Sequence, residues 1–473
     1  MPSAPRSADR AIPVRPAPAS IPLAGTRVAG DPLSRTAASR ILRPVNPRRR
    51  RRSPLASARH RALALALAAL LLAPASARGA LLDADRIGGI EIGSPAAGPG
   101  LRAVAPDVGM AAGILVTGDG RELWSRFSDD ERAMASITKV MTAVVALEHT
   151  KPDDKMRIET RATRVGESEA GLVAGRTYAV RKVLEALLVK SGNDAAEALA
   201  LHVAGSEKAF VDLMNAKAAA LGMTHTHFVN AHGLDAPGHR TSAADLATLC
   251  RYAMGDAEFR RIVALDKATI PGPKGTVITM ENSNKLIASY AGATGVKTGW
   301  TDDAGYCVAT SAERGGVTLY AIVLGAQSET TRFSYARRLL DWGFEHYRPR
   351  RLATTGDDRG AVPVTDYLDV TVPLMTAVTT DVPVFDLEGT VTVTADVATE
   401  VEAPVVRGQR LGTLTAVQGD RLLARIAIVA ASDVEEPGFW ERIGIWFTRV
   451  WRRVFGGQRV APARVVPAAL GTP

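Results

Sequence analysis

Ser136 and Lys139, in the stretch Ala135-Ser-Ile-Thr-Lys139, are residues whose types and spacing could do chemistry. One helical turn puts both side chains on one face, within hydrogen-bond reach. A serine hydroxyl is a weak nucleophile at neutral pH and needs a base beside it. A lysine amine can be that base if its pKa is pushed down far enough to leave it uncharged. Alone, a Ser-x-x-Lys recurs by chance in a chain of 473 residues. Two further motifs give it weight. Ser191-Gly-Asn193 lies 55 residues on, and Lys297-Thr-Gly299 follows after a further 106. Each is common alone; the three in this order are highly specific.

This set resembles the penicillin-binding and serine β-lactamase superfamily. More narrowly it is similar to the D-alanyl-D-alanine carboxypeptidases of the low-molecular-mass penicillin-binding proteins. The match runs over about residues 100–345. It includes Ala135-Ser-Ile-Thr-Lys-Val-Met141, Ser191-Gly-Asn-Asp-Ala195, Asn230-Ala-His-Gly-Leu-Asp235, Asn282-Ser-Asn-Lys-Leu286, and Lys297-Thr-Gly-Trp-Thr301 with Ala304-Gly-Tyr-Cys307. The resemblance implies an α/β (α+β) transpeptidase-like domain, an antiparallel sheet flanked by helices. It implies Ser136 as nucleophile, Lys139 as its base, Ser191 as a proton relay to the leaving amine, and Asn193 as the group that orients Lys139 and the substrate amide. Lys297 and Thr298, on an edge strand, would hold a terminal carboxylate, which needs a fixed cation and a donor. Gly299 would keep that strand clear for the substrate backbone. The backbone N–H groups of Ser136 and Trp300 would form the oxyanion hole. The family commonly has His where Trp300 stands, and the oxyanion contact, a backbone amide, survives that departure. The implied substrate is a peptidoglycan stem pentapeptide, with β-lactams as covalent inhibitors and no metal or other cofactor. A D,D-endopeptidase would use the same parts. A β-lactamase usually needs a glutamate-bound water, and no Glu-x-x-Leu-Asn follows Ser191. A non-catalytic scaffold has no use for Ser136, Lys139, Ser191 and Lys297 together.

The elements that must position these groups are legible from periodicity. Residues 111–117 and 122–127 predict a hairpin around Gly118-Asp119-Gly120. Helices are predicted over 136–149, 178–189, 195–203, 208–221, 243–253 and 334–344, and strands over 296–298, 305–309 and 319–324. Strands at both ends with helices between predict one sheet built from both ends of a domain spanning 100–347. Over 350–433 Val, Thr and Asp alternate between regular turns, which predicts a small all-β domain acting as a spacer. Over 437–457 Phe439, Trp440, Trp446, Phe447, Trp451 and Phe455 recur at helical spacing, with Arg442, Arg449, Arg452 and Arg453 largely on the remaining face. That pattern suits an amphipathic helix lying on a membrane surface, among anionic headgroups. A disordered tail is expected over 458–473.

The net charge of +9 is misleading. The first 77 residues hold fourteen Arg, no Lys and two Asp, so the remainder is net negative by three, and a nucleic-acid partner is not expected. Residues 1–80 read as a disordered basic leader followed by a secretory signal: the apolar run 62–72, Pro74, and Ala75-Ser-Ala77. The arginine run fits a twin-arginine signal poorly. Export to the outer face of the cytoplasmic membrane follows. Cys250 and Cys307 are too few for a disulfide framework and read as buried thiols, with a single bridge open to an exported protein. His225, His227 and His232 lack a metal-binding pattern. His232-Gly233 is expected to buttress the core beneath the site, Asp235 to serve a turn and Asp245 a helix cap.

Overall fold

The computed structural model describes residues 105–455 and the two-residue strands Ile92–Gly93 and Arg464–Val465. The leader and signal expected over 1–80 lie outside the described residues, as does the tail apart from Arg464–Val465.

The hairpin is β1 (Ala112–Thr117) and β2 (Glu122–Arg126). A 3₁₀ turn, Ala135–Thr138, leads into α1 (Lys139–His149). The short strands β3 (Lys155–Arg157) and β4 (Thr177–Ala179) pair, and α2 (Val180–Leu188), α3 (Asn193–Ala204), α4 (Glu207–Ala220), α5 (Ala243–Ala253) and α6 (Ala257–Val263) follow. A second hairpin, β5 (Lys267–Pro271) and β6 (Val277–Glu281), precedes β7 (Ala293–Thr301), β8 (Gly305–Arg314), β9 (Val317–Ala326) and α7 (Glu329–His346).

The main sheet has the antiparallel order β2-β1-β9-β8-β7, so the two ends of the domain meet where Leu115 pairs with Ala321. Alternation along β1 and β9 sorts their residues between two cores. Leu115, Leu319, Ala321 and Val323 pack with Leu339 and Leu340 of α7. Ile114, Val116, Ile322 and Leu324 join the helical core with Leu246 and Leu249 of α5. Burial on both faces makes β1 a continuous apolar run, whereas β7 is an edge strand. Side chains close the helix starts: Ser206, Ser242 and Asp256 each accept from a backbone N–H three residues on, and Ser328 and Thr331 cap each other reciprocally.

Several expectations need correction. The first helix is α-helical only from Lys139, because residues 135–138 are wound more tightly. Tyr178 belongs to β4, so α2 starts at Val180; its hydroxyl donates to the Pro271 carbonyl of the second hairpin. The last helix is longer than 334–344, since the Ser328–Thr331 cap starts it earlier. Helix α6 and the β5–β6 hairpin were not foreseen. Asp245 does not cap α5. Ser242 does, and the Asp245 carboxylate accepts from His225 N and Thr226 Oγ1. Cys250 and Cys307 are, as expected, free and buried thiols; burial pushes them up, to about 12 and about 11.

After α7 the chain is β-structured. Strand β10 (Tyr347–Ala353) pairs with β13 (Thr380–Phe385). A second sheet takes the order Ile92–Gly93, β14 (Val391–Val397), β15 (Arg410–Gln418), β16 (Arg421–Ala430), β12 (Thr371–Thr376), β11 (Asp358–Pro363), Arg464–Val465. It has its own core, including Val372, Leu374, Val393, Leu414 and Ile428. Helix α8 (Phe439–Phe455) lies against this region by its arginines. Arg449 donates to the carbonyls of Thr365 and Tyr367, and Arg452 pairs with Asp369 at 3.1 Å. Phe439, Trp440, Trp446, Phe447, Trp451 and Phe455 are each more than half exposed. No helix among the described residues is long and apolar enough to cross a membrane.

Candidate active site

The three motifs meet in one cleft of about 470 Å³, lined by Ser136, Glu167, Ser168, Ser191, Asn193, Thr298, Gly299, Trp300 and Arg332, among others. Ser136 sits in the 3₁₀ turn at the foot of α1, after Ala135 in left-handed backbone (φ 50°). That strained conformation persists because its surroundings fix it. Thr138 Oγ1 donates to the Ala135 carbonyl at 2.8 Å. Behind it, His239 Nδ1 accepts from Val229 N, so Nε2 carries the proton and donates to Thr138 Oγ1 at 2.8 Å. Burial lowers His239 to about 4, so the ring is neutral.

Lys139 Nζ has three neighbours: Ser136 Oγ at 2.7 Å, Asn193 Oδ1 at 2.8 Å and the His232 carbonyl at 2.5 Å. Two of them only accept. A neutral amine has two N–H bonds and one lone pair. With both N–H groups committed to Asn193 and His232, the lone pair faces Ser136 Oγ. Burial first, and the charge of Lys297 second, hold Lys139 well below the usual lysine range, which favours that neutral state.

Asn193 opens α3 and is pinned on three sides. Its Oδ1 takes Lys139, its Nδ2 donates to the Gly166 carbonyl at 3.0 Å, and its N–H donates to the Ser168 carbonyl at 2.6 Å. The loop that supplies those carbonyls is held by Asp194. That buried carboxylate accepts from Ala170 N, Gly171 N, Leu172 N and Ala195 N, each at 2.9 Å. Ser191 lies in the cleft wall in left-handed backbone (φ 69°).

Segment 230–234 runs beneath the pair. Asn230 Oδ1 accepts from Gly233 N, and Thr142 Oγ1 donates to the Ala231 carbonyl at 2.6 Å. Gly233 has φ +93°, and a Cβ there would fall 2.1 Å from the Ala135 carbonyl oxygen. His232-Gly233 therefore does buttress the site, and the contact to Lys139 is the His232 carbonyl. Burial lowers its imidazole to about 4.

On the facing wall, β7 pairs Lys297 with Ala309 and Thr298 with Val308. Lys297 is buried, and its Nζ donates to the Thr298 carbonyl at 2.9 Å. Burial, and then the charge of Arg332, lower it to about 7. Thr298 Oγ1 donates to Ser283 Oγ at 2.7 Å. The structure needs glycine at 299 for packing: a Cβ would lie 2.9 Å from Ser136 N and 3.0 Å from the Met134 carbonyl oxygen. The missing side chain lets β7 close on the 3₁₀ turn. Trp300 is half-exposed, its ring 5.9 Å from that of Tyr306 and tilted 40° to it. Asp235 fastens the turn after β7, through Thr301 Oγ1 at 2.7 Å and Asp303 N.

Sequence reasoning missed Arg332, one turn into α7. It is buried, lines the cleft, and donates from Nη1 to the Gly299 carbonyl at 3.0 Å. It also missed His239, Glu167 and the role of Asp194. Among the described residues no group of His, Cys, Asp and Glu is placed to hold a metal ion.

A serine–lysine pair at the start of a helix, below the edge strand of a five-stranded antiparallel sheet, defines the penicillin-binding class of serine hydrolases. Comparison with known proteins narrows the class. The D-alanyl-D-alanine carboxypeptidase family profile matches residues 102–328. The chain is 31% identical over 338 residues to D-alanyl-D-alanine carboxypeptidase DacF of Bacillus subtilis, covering 69% of this chain and 86% of that protein. It is 30% identical over 375 residues to DacC of Escherichia coli, covering 74% and 91%. Among solved structures, the D-alanyl-D-alanine carboxypeptidase DacD from Francisella tularensis is 26% identical and superposes with a TM-score of 0.54, covering 71% of this chain and 96% of that one. The chain belongs to the D-alanyl-D-alanine carboxypeptidase family. It is a serine hydrolase of cell-wall metabolism.

Proposed function

We propose that this chain removes the terminal D-alanine from peptidoglycan stem pentapeptides through an acyl-enzyme on Ser136. The observation that carries the reading is Lys139 Nζ at 2.7 Å from Ser136 Oγ, with Asn193 Oδ1 and the His232 carbonyl as its other neighbours; a neutral amine donating to those two acceptors keeps its lone pair for the serine. Lys139 takes the hydroxyl proton as Oγ bonds to the carbonyl carbon of the penultimate D-alanine. The oxyanion is held by the N–H groups of Ser136 and Trp300, each such donor contributing about 2.7–4 kcal/mol in comparable sites. Ser191, beside the leaving nitrogen, passes it a proton and is reprotonated from the Lys139 ammonium as the C–N bond breaks and D-alanine departs. Water then attacks the ester and gives its proton to Lys139, which returns it to Ser136 Oγ as the shortened stem peptide leaves as a carboxylate. Lys297 and Thr298 grip the terminal carboxylate, with Arg332 as a further cation in the same wall. Asn193 orients both Lys139 and the acyl-side amide. β-Lactams acylate the same serine.

We also propose the division into a peptidase domain (100–347), a β spacer (350–433) and a membrane-surface helix (437–457), with export by the N-terminal signal to the outer face of the cytoplasmic membrane. The exposed aromatic face of α8 supports the anchor, since Arg449 and Arg452 are engaged on the side facing the β region and leave the aromatic side uncovered. The test of the catalytic reading is Ser136→Ala. It should lose labelling by a fluorescent penicillin and release of D-alanine together. Labelling that persists would refute the nucleophile.

A further inference from the structure

The side chains that line the cleft include two charged groups of opposite sign, Arg332 and Glu167. Lys139 and Lys297 are buried behind the wall. Arg332 stands with Lys297 and Thr298 on the side proposed to take the terminal carboxylate. Glu167 comes from the loop that leans on Asn193, the residue proposed to hold the acyl-side amide. It is exposed, and it forms no salt bridge with any described residue. Its backbone is left-handed (φ 57°), a conformation that favours glycine over a side chain. The loop is not free to carry it elsewhere: the Asp194 carboxylate holds Ala170, Gly171 and Leu172, and Asn193 holds Gly166 and Ser168. A carboxylate with no salt bridge among the described residues is thus carried on a held loop at the cleft, opposite in sign to the anchor on the other wall.

We infer that Glu167 is a specificity-determining residue, selecting stem peptides whose third residue carries a free side-chain ammonium. This rests on the carboxypeptidase reading and deepens it. The acylated residue is the fourth of the stem, so the third lies one residue upstream, about 3.5 Å along an extended chain. A four-carbon side chain carries its nitrogen roughly another 5 Å, at C–C bonds of about 1.5 Å. A charged amine at the third position interacts with Glu167; an acylated one, as when a second strand is joined through it, does not.

The experiment uses two pentapeptides ending in D-Ala-D-Ala that differ only at the third residue, lysine or Nε-acetyllysine. The purified chain, Glu167→Gln and Glu167→Gly are compared by release of D-alanine. Glycine accepts the left-handed backbone, so it separates loss of charge from strain. The native enzyme should favour the lysine peptide roughly five-fold in kcat/KM, the upper range for a solvent-accessible ion pair. Both variants should bring the ratio to about one, and Glu167→Lys should invert it. The ratio is the readout because any effect of Glu167 on Lys139 is common to both peptides and cancels. A native ratio of one, or a preference that survives in both variants, overturns the inference while leaving the carboxypeptidase reading intact. Failure to release D-alanine from either peptide overturns both.

Discussion

Asp194→Asn isolates the device that keeps the proposed base aimed. The carboxylate is buried at the start of α3, where the helix dipole favours a negative charge. Its Oδ1 accepts from Ala170 N and Ala195 N, and its Oδ2 from Gly171 N and Leu172 N. Asparagine keeps one oxygen, enough for one of those pairs. Its NH₂ then meets two N–H donors head-on. Leaving two buried N–H groups unsatisfied costs about 1–3 kcal/mol each. The total of about 2–6 kcal/mol is an upper bound, because the chain can release the 166–172 loop and let water serve the freed amides.

Release has a chemical consequence. The loop takes with it the Gly166 and Ser168 carbonyls that hold Asn193, leaving Asn193 Oδ1 to wander from Lys139. Once that acceptor is lost, the lone pair of Lys139 is no longer aimed at Ser136. The expected result is acylation by a fluorescent penicillin slowed roughly 10- to 100-fold, the scale of an ångström misplacement in an active site. Hydrogen exchange at residues 170–172 should accelerate in parallel. Free exchange of those amides with acylation at its native rate would refute the link between the loop and the base. A loop that stays protected would show that the carboxylate is not what holds it.

Burial and Arg332 bring Lys297 to about 7, so kcat/KM should fall as pH rises through about 7 and Lys297 loses the charge proposed to meet the carboxylate. Burial and the charge of Lys297 depress Lys139, so the proposed base loses its proton at a lower pH than an ordinary lysine. Bound carboxylate favours charged Lys297, so the falling limb should sit at higher pH in kcat; a kcat/KM that climbs without a falling limb to pH 9 contradicts the role of Lys297. Gly233→Ala drives a Cβ to 2.1 Å from the Ala135 carbonyl oxygen, at a left-handed position. Both the melting temperature and penicillin acylation should drop, and an unchanged acylation rate would show that the 3₁₀ turn tolerates displacement. Removing residues 437–473 should leave hydrolysis of soluble peptides intact and free the enzyme from membranes, as read by sedimentation with vesicles. Unchanged sedimentation would end the proposed role of α8.

The motifs were legible because local geometry does most of their work. Ser136 and Lys139 are one turn apart wherever that stretch winds, Lys297-Thr-Gly falls in a stretch predicted as a strand, and the order of the three motifs makes them specific together. The sheet built from both chain ends followed from the order of elements. Arg332 was not legible for a definite reason. It is one of three arginines in α7, with Arg337 and Arg338 in the same helix and Arg348 just beyond equally basic, and nothing periodic sets it apart. Only the packing of α7 against β8 and β9 brings its guanidinium to the Gly299 carbonyl, 33 residues away in sequence. His239 is similar: a lone histidine 101 residues from Thr138, made a brace by the fold.

Glu167 was missed by a different route. A polar residue in Val165-Gly-Glu-Ser168 reads as ordinary loop, and its meaning lies in what holds the loop. The holders, Asp194 and Asn193, sit inside the same motif that supplies Ser191. One short stretch therefore presents a hydroxyl to the cleft, fixes the acceptor for Lys139, and sets the charge of the opposite wall. That coupling implies that substitutions in the 166–172 loop act on acylation through Asn193 and on peptide choice through Glu167. The two effects separate experimentally, because only the second depends on the charge of the peptide.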